Sequence, residues 1–458
     1  MAKKKQIELT IEEKLQNALV PKEEQPYKIP NNWCWVRLGN ITQIKGGKRI
    51  PKGTSLLKEN TGYKYIRVTD MKNGTVLNDD IHYISKDIYN KISNYTISKN
   101  DIYITCAGTI GRVGIIPVEF DGANLTENAD KIIIKHINKN LLVKVLSSYI
   151  VQKQIQEVIT TGCQPKLAIK KIEQLKIPLP PINEQQRIVE RIESLFVKLD
   201  RAKELIENTL AQFEQNKMAI LHKAFTGELT AKWRKENNID LSSWQEKTVD
   251  ELCTSLKYGT SKKSNPEGSV VVLRMGNLQN GEIDWSNLMY TDDKDDIEKY
   301  LLKKGDVLFN RTNSPELVGK TSIYRGEYPA IYAGYLIKLD YGKDIIGEYL
   351  NYMMNSTKAK HYCYTVKTDG VSQSNINAKK IGAFEIPVPT IEEQQEIVNI
   401  LDRLLAKYNK IKNLEQQLEK IELLKKAILA KAFRGELGTN NPDEESAENL
   451  LKEILAEK

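Results

Sequence analysis

Cysteine and histidine are scarce in this chain of 458 residues, and their scarcity excludes several kinds of site. The five cysteines are far apart and never form a C-x-x-C pair; they are Cys34, Cys106, Cys163, Cys253 and Cys363. This pattern predicts reduced thiols and neither a disulfide framework nor a zinc site. The four histidines form no H-E-x-x-H pair, so a catalytic zinc or a histidine-based hydrolase is not expected.

Long apolar runs are also absent. No stretch of 18 apolar residues occurs, so no membrane-spanning helix is expected. The basic start MAKKKQIELT continues into IEEKLQNALV, which lacks the apolar core of a signal peptide. These features predict a cytoplasmic protein with no membrane partner.

Signatures of catalysis are missing as well. The segment SPELVGKT (314–321) resembles a phosphate-binding loop, but a serine stands where its first glycine belongs. The glycines of GTIGRVG (108–114) have the wrong intervals for a dinucleotide fingerprint, which favours a loop near DNA or a turn between strands. There is no N-P-P-[YFW] tetrapeptide or F-x-G-x-G of a methyltransferase, and no P-D…(D/E)-x-K set of a nuclease. We therefore expect a chain that binds and does not catalyse, with no metal or cofactor of its own.

The length and charge of the chain set only broad limits. A chain of this length suits about three domains. The chain carries 68 basic and 60 acidic residues, a net charge of +8. An excess of this size favours a polyanionic partner only weakly.

The most informative feature is an internal repeat. IPLPPINEQQRIVERIESLF begins at Ile177 and IPVPTIEEQQEIVNILDRLL begins at Ile386, a separation of 386 − 177 = 209 residues. Each segment runs on to a matching end, KAFTGEL (223–229) or KAFRGEL (431–437). Upstream the match is weaker, as in YIRVTDMKNG (65–74) against VLRMGNLQNG (272–281). The repeat predicts two similar halves related by a pseudo-twofold. A duplication without functional meaning is the alternative, and the unequal divergence of the two parts argues against it.

The well-matched parts of the repeat predict two long helices. Asn183 with Gln186, and Thr390 with Glu393, fit capping boxes near the two starts, while Gly227 and Gly435 fit the two ends. Apolar residues recur every three or four positions in both; they are Ile188, Ile192, Leu195, Leu199, Ala202 and Ile206 in the first, and Ile397, Leu401, Leu404, Tyr408, Ile411, Leu414, Leu418 and Ile421 in the second, with one skip. This narrow seam predicts an antiparallel, coiled-coil-like pair of rods about 60 Å long. The alternative is two unrelated helices, each packed on its own domain.

The divergent parts predict mixed domains that bind through loops. Short apolar runs such as KYIRV, DIYIT, KIIIKH, VVVLRM and DVLFN are typical of strands, and a short helix-like stretch follows in each half, so the fold class is α+β. Basic and amide side chains recur in their loops, where they suit phosphates and base edges. The candidate DNA-binding residues are Lys48, Arg49, Arg67, Arg112 and Gln164 in the first half, and Lys262, Lys263, Arg274, Asn310, Arg311, Asn313 and Gln373 in the second.

The segments described so far resemble the specificity subunits of type I restriction-modification systems over nearly the whole chain. The two IP-x-P…EQQ segments, their KAF-x-GEL ends and the stretches YGTSKKS, VLRMGNLQNGEI and LFNRTNSPELVGKTSIY carry the resemblance. It implies two globular target-recognition domains, held apart by the two long helices, that read the halves of a split site in double-stranded DNA. It also implies that the helices bind two DNA methyltransferase subunits, with restriction and translocase subunits in the same complex. S-adenosylmethionine, ATP and magnesium are then expected on those partner subunits and not on this chain.

The repeat and the resemblance together divide the chain into six segments. They are an N-terminal part of the helical scaffold (1–26), the first target-recognition domain (27–180), a spacer helix with linker (181–240), the second target-recognition domain (241–385), a distal spacer helix (386–438) and a C-terminal amphipathic segment (439–458). The C-terminal segment is expected to complete the same scaffold as residues 11–20.

Two other functions stay open at this point. A stand-alone DNA-binding regulator would bind DNA tightly without any methyltransferase. An adaptor would use the duplicated domains to bind proteins, with the polar loops merely solvated. A fusion with its own methyltransferase is disfavoured by the missing motifs.

Overall fold

The computed structural model describes residues 10–159, 165–406 and 411–457, which form two compact units. The first unit contains residues up to Leu205 and from Gln416 onward, and the second unit contains Ile206–Glu415. Both units combine helices with mainly antiparallel sheets, which confirms the α+β class. In the described residues, no helix is long and apolar enough to cross a bilayer.

The first unit is built from short strands and helices. Its strands are β1 Cys34–Arg37, β2 Thr42–Gly46, β3 Lys64–Ile66, β4 Met71–Lys72, β5 Thr75–Val76, β6 His82–Tyr83, β7 Thr96–Ile97, β8 Ile102–Thr105, β9 Val113–Ile115, β10 Ala123–Leu125, β11 Ala129–Ile134 and β12 Lys176–Leu179. Its helices are α1 Ile11–Ala18, α2 Leu38–Ile41, α3 Lys86–Ile92, α4 Lys139–Leu146, α5 Tyr149–Val158 and α6 Ile169–Glu173. A long helix, α7 Ile182–Phe225, begins in this unit and ends in the second.

The second unit has a similar set of elements. Its strands are β13 Gln245–Thr248, β14 Cys253–Tyr258, β15 Val270–Leu273, β16 Leu278–Gln279, β17 Glu282–Ile283, β18 Tyr290–Thr291, β19 Val307–Asn310, β20 Thr312–Asn313, β21 Thr321–Ile323, β22 Ala330–Tyr332, β23 Leu336–Tyr341, β24 Thr368–Asp369, β25 Ser374–Asn375 and β26 Glu385–Val388. Its helices are α8 Ala231–Glu236, α9 Val249–Leu252, α10 Lys294–Tyr300, α11 Gly347–Met354, α12 Thr357–Val366, α13 Ala378–Gly382 and α14 Ile391–Ala406. Helix α15, Ile411–Ala432, ends in the first unit, to which α16, Ala447–Ala456, also belongs.

The sheets of the two units follow the same plan. A four-stranded antiparallel sheet has the order β2-β11-β8-β9 in the first unit and β14-β23-β19-β21 in the second. Beside it, β10 pairs with β3 in parallel, as β22 does with β15. Two-stranded pairs also recur, β1 with β12 and β13 with β26. The internal repeat is therefore a repeat of tertiary structure.

The N-terminal and C-terminal segments share the core of the first unit. Leu15 of α1 and Leu451 of α16 are both buried there, together with Ile188 and Ile192 of α7. Because α1 and α16 are short and amphipathic, each gains stability by burying its apolar face in a common core. Residues from opposite ends of the chain thus stabilise one domain.

The starts of the long helices are set by different residues. Helix α7 begins at Ile182, and the backbone N–H groups of Glu184 and Gln185 donate to the carbonyl of Pro181. The predicted cap at Asn183 is therefore wrong, because that residue already lies in the helix. At the second start the Thr390 hydroxyl accepts from the backbone N–H of Glu393 at 3.3 Å, as predicted.

The ends of the long helices are alike. Gly227 and Gly435 have φ values of +80° and +74°, a backbone conformation that favours glycine. The N–H of Leu229 donates to the carbonyl of Lys223, and that of Glu436 to the carbonyl of Lys431. The bond from Glu436 to Lys431 spans five positions, as in the hydrogen bond that closes a helix at a glycine, and the bond from Leu229 to Lys223 spans six.

The helices α7 and α15 run antiparallel where both lie in the first unit. Asp200 pairs with Lys425 at 2.5 Å, and Lys203 pairs with Glu422 at 3.6 Å. Rising numbers along α7 thus meet falling numbers along α15. In the second unit the predicted seam residue Leu401 shares a core with Leu221. Tyr408, another predicted seam residue, lies outside the described residues.

Candidate nucleic-acid interface

The loops of the second unit that carry candidate residues converge. The strand β19 ends at Asn310, and β20, which contains Asn313, pairs antiparallel with β25 in the register Asn313 to Ser374. Gln373 is the residue next to Ser374, at the end of the turn that joins β24 to β25. The pairing therefore brings Asn313 and Gln373 together, although 60 residues separate them in the sequence (373 − 313 = 60).

Arg311 lies at the centre of this group. Its guanidinium carbon is 4.8 Å from the centre of the Tyr258 ring, and its terminal nitrogens donate to the Gly334 carbonyl at 3.3 Å and to Oδ1 of Asn375 at 3.2 Å. Its Nε is buried without a hydrogen-bond partner among the described residues. A buried, unpaired N–H costs about 1–3 kcal/mol. The stacking on Tyr258 and these two hydrogen bonds hold the guanidinium in one plane, and each terminal nitrogen carries a second N–H, which suits a phosphate or a guanine edge.

Two other candidates of the second unit support the loops. Asn310 is fully buried, donates to the Met275 carbonyl at 3.4 Å and accepts from the backbone N–H of Thr312 at 3.3 Å. Arg274 donates to Asn287, while its Nε is buried without a partner in the described part of the chain. Through these two hydrogen bonds, Asn310 positions the backbone next to Arg311.

The lysines of the second unit lie on an adjoining loop. Gly259 precedes this loop, and a Cβ at that position would come within 2.1 Å of the Tyr332 carbonyl oxygen, so only glycine fits. The backbone N–H of Gly334 donates to the Thr260 carbonyl at 2.7 Å, which ties the loop to the Arg311 acceptor. Lys262 pairs with Asp293 at 2.7 Å, and this hydrogen bond raises its pKa. Lys263 is exposed.

The first unit presents Lys48 and Arg49 on the corresponding loop. Gly47 occupies the same tight position as its counterpart in the second unit, since a Cβ would come within 2.0 Å of the Thr126 carbonyl oxygen. Lys48 is exposed, with its Nζ 5.5 Å from the centre of the Tyr95 ring. The exposed Arg49 pairs with Glu127, which raises the pKa of the guanidinium.

Arg67 makes many contacts inside the first unit. Its guanidinium donates to both carboxylate oxygens of Asp70, at 3.1 and 2.7 Å, and to the carbonyl and carboxylate of Asp80, at 2.6 and 3.0 Å. The hydrogen bond to Asp70 raises the pKa of Arg67, and hydrogen bonds from Lys58 and Arg67 lower that of Asp80 to about 2. A direct DNA contact by Arg67 would have to compete with these two carboxylates.

Arg112 borders a surface cavity of about 360 Å³ in the first unit. Lys72, Asn73 and Gln152 also line this cavity, and one Arg112 nitrogen donates weakly to the Met71 carbonyl at 3.4 Å. The cavity lies between the turn of GTIGRVG, which joins β8 to β9 as predicted, and the turn between β4 and β5. The last candidate of this unit, Gln164, lies outside the described residues.

Tyr258 and Asn375 also belong to the group of side chains around Arg311, although neither is among the candidates chosen from the sequence. Tyr258 begins the stretch YGTSKKS (258–264), and Asn375 lies two residues after the candidate Gln373. The signal that marks them is their contact with Arg311, which depends on pairing between strands far apart in the chain. No group of three metal-ligating side chains is found in the described ranges.

Comparison with known proteins identifies the family. The sequence model of the type I restriction modification DNA specificity domain matches residues 30–214 and again residues 242–423. The chain is 26% identical over 457 residues to the type I restriction enzyme EcoKI specificity subunit of Escherichia coli (strain K12), covering 94% of this chain and 96% of that protein. It is also 26% identical over 459 residues to the StySPI specificity subunit of Salmonella potsdam, with the same coverage.

Solved structures show the same fold. A chain from a structural study of complex assembly and conformational transition of the type I R-M system aligns with a TM-score of 0.67 at 20% identity, over 90% of this chain and 100% of that one. The HsdS subunit from Thermoanaerobacter tengcongensis aligns with a TM-score of 0.51 at 20% identity, over 90% and 99% of the two chains. Because the family's domain matches twice and covers most of the sequence, this chain belongs to the family of type I restriction-modification DNA specificity subunits.

Proposed function

We propose that the two repeated domains, residues 27–180 and 241–385, each read one half of a split site in double-stranded DNA. The observation that carries this proposal is the recurrence of basic and amide side chains on corresponding loops of both units. In the second unit these loops converge around Arg311, and in the first unit Lys48 and Arg49 lie on the matching loop. A single polar loop is common on any protein, whereas a repeated one points to a shared ligand.

The chemistry of the loops suits base recognition. Arginine and lysine pair with guanine in the major groove, and asparagine and glutamine pair with adenine. Arg311, Asn313 and Gln373 supply both kinds of side chain within one group. We propose that these three residues contact bases. Lys262, Lys263 and the candidates whose side chains are hydrogen-bonded within their own unit would position the loops or contact phosphates.

We further propose that the long helices bind two DNA methyltransferase subunits, and that restriction and translocase subunits join the same complex. Apolar side chains on the helix surface support this proposal: Val197 of α7 is 68% exposed and Leu423 of α15 is 63% exposed. S-adenosylmethionine, ATP and magnesium would then be bound by those partners. This chain would supply recognition without catalysis.

Two other functions are less well supported. A stand-alone regulator and a protein-binding adaptor do not account for two successive matches to a DNA specificity domain over most of the chain. A regulator would bind its DNA site tightly without a methyltransferase, and an adaptor would show no sequence preference. Both outcomes are easily distinguished from the proposed function.

The test is to map methylated adenines in a host that carries this chain with its methyltransferase partner. We expect one split motif to be methylated, and none when the chain is deleted. Exchange of residues 241–385 for the corresponding segment of a relative should change one half of the motif and leave the other half intact. A change in both halves, or methylation that persists without the chain, would reject the proposal.

A further inference from the structure

Three lysines from separate elements come together in the second unit. Lys217 lies on α7, Lys320 lies just before β21, and Lys360 lies on the first turns of α12. Lys217 and Lys320 are close enough to Lys360 to act on its charge, and the neighbouring carboxylate that acts on it is Glu214. None of these lysines is among the candidates selected from the sequence.

Close packing around Gly319 brings these elements together. Gly319 has a φ of +95°, and a Cβ at this position would lie 2.7 Å from Sγ of Cys363, one turn after Lys360 on α12. Lys360 in turn reaches α7, where its Nζ is 4.0 Å from Sδ of Met218. Close packing at Gly319 therefore brings the segment of Lys320 against α12, and the contact of Lys360 with Met218 joins them to α7.

The cluster carries more positive charge than its surroundings compensate. Burial lowers the pKa of Lys320, and burial followed by the charge of Lys217 lowers that of Lys360. The Lys320 ammonium group donates to the neutral Oε1 of Gln279 at 2.8 Å. Because like charges held together repel, such a cluster suits an anion that is strongly bound by several cations.

We propose that Lys217, Lys320 and Lys360 bind phosphate oxygens of the DNA backbone next to the half-site that the second unit reads. This inference rests on the proposed function. Lys320 lies directly opposite Asn310: the N–H of Asn310 donates to the Lys320 carbonyl, and the N–H of Gly319 donates to the Asn310 carbonyl, both at 2.8 Å. The cluster thus continues the edge that carries Arg311. Phosphates always accompany bases that are read at that edge, which favours DNA over an acidic protein surface.

The first unit provides an internal comparison. Arg112 corresponds to Lys320 and Gln152 to Lys360, with the same offset (320 − 112 = 208 and 360 − 152 = 208). Gln152 donates to the carbonyls of Gly111 and Leu146, and carries no charge. At the same offset from Lys217 lies Lys425, which pairs with Asp200 at 2.5 Å. The first unit therefore retains only Arg112 as an uncompensated cation at these three positions.

The experiment measures how salt affects DNA binding by the full-length chain in complex with its methyltransferase partner. The probe is a duplex that contains the split motif identified by methylation mapping. In a second duplex the half-site read by the second unit is scrambled. The test variant combines Lys320→Gln with Lys360→Gln, and the second substitution introduces the residue that the first unit has at the corresponding position, Gln152. Lys320→Arg with Lys360→Arg retains the charge, and Lys343→Gln, an exposed residue elsewhere in the second unit, serves as control.

Each phosphate contact contributes about 0.9 to the slope of log affinity against log salt. We expect the glutamine variant to reduce that slope by about 2 on both duplexes. The ratio of the affinities for the two duplexes and the midpoint of unfolding should stay unchanged. The arginine variant and the control should keep the parental slope. An unchanged slope in the glutamine variant would overturn the inference. So would loss of the methyltransferase from the purified complex, which would indicate a protein partner at the cluster. If the parental complex does not distinguish the two duplexes, the proposed function itself fails.

Discussion

Trp244 donates its indole N–H to the buried carboxylate of Glu393 across 2.9 Å, although 149 residues separate them in the chain. Trp33 makes the same bond to Glu184 at 2.7 Å in the first unit. Each glutamate lies in the first turn of a long helix, and each tryptophan lies at or just before the first strand of a repeated domain. This pair of contacts therefore fixes each domain to the start of its helix in the same way.

The two glutamates differ in the charge of the groups that donate hydrogen bonds to them. Glu393 accepts from Arg234 at 2.6 Å, and both side chains are at most 9% exposed. Glu184 accepts instead from neutral groups, the hydroxyl of Thr439 at 3.0 Å and the amide of Asn440 at 2.8 Å. The second unit thus contains a buried ion pair where the first unit contains a carboxylate held by neutral donors.

Glu393→Gln should destabilise the second unit, because Arg234 would be left buried without its counter-charge. Removal of one partner from a buried pair costs about 3–5 kcal/mol. Urea unfolding, followed by Trp fluorescence and by hydrogen exchange of the second unit, measures this loss. Glu184→Gln is the matched control, and we expect it to cost only about 1–2 kcal/mol because no buried cation is orphaned. Equal losses in the two variants would contradict this explanation.

Asp130 should make the stability of the first unit depend on pH. It is 4% exposed in β11, one of its carboxylate oxygens has no hydrogen-bond partner in the described part of the chain, and burial raises its pKa from 3.8 to about 6. Between these values the folded chain holds more protons than the unfolded chain. The free energy of unfolding therefore falls as pH rises from about 4 to 6, by roughly 2–3 kcal/mol in total.

Asp130→Asn removes this titration, so we expect the variant to be more stable than the parent above pH 6 and similar to it near pH 4. Thermal unfolding of both proteins across this range measures the difference. Asp79→Asn, at an exposed site, should leave the profile unchanged. A variant whose stability follows that of the parent at every pH would show that the Asp130 carboxylate is already ionised without cost.

Arg311→Ala should weaken binding to the cognate half-site by about 1–3 kcal/mol, because a bidentate contact to a base is lost. Arg311→Lys keeps the charge and loses the planar fork, so it should restore general affinity and leave discrimination between bases poor. Competition binding with single-base variants of the second half-site measures both effects. A uniform loss over all duplexes would instead assign Arg311 to a phosphate.

Insertion of one heptad at matched places in α7 and α15 should lengthen the gap between the two half-sites. Helix α7 is continuous over 44 residues, and seven further residues add about 10 Å, the length of roughly three base pairs. Methylation mapping of the variant shows whether the gap has changed. Altered bases within either half-site would refute a spacing role for the helices.

The sequence alone predicted the repeat, the α+β class and the family. It located the strands because alternating and short apolar runs are local signals, and it located the long helices because their seam repeats over many turns. Its errors were also local: the cap at Asn183 was wrong because Pro181 already supplies the first carbonyl of α7. The helix-like stretch of each half is two helices, α4 with α5 and α11 with α12, since Ser356 and its neighbour Asn355 interrupt the second stretch and Ser147 and Ser148 the first.

The side chains proposed to face DNA, in contrast, depend on tertiary structure. Composition and spacing placed Arg67 and Arg311 in the same class, yet Arg67 lies between two carboxylates, whereas Arg311 is stacked on Tyr258 and donates to two neutral acceptors. The lysines at 217, 320 and 360 are also far apart in the sequence, and they form one cluster through the packing of Gly319 against α12 and the contact of Lys360 with Met218 of α7. Periodicity is a property of neighbours along the chain, whereas hydrogen bonds and charge depend on residues that meet only after folding, so the sequence determined the framework and the tertiary structure decided the chemistry of its surface.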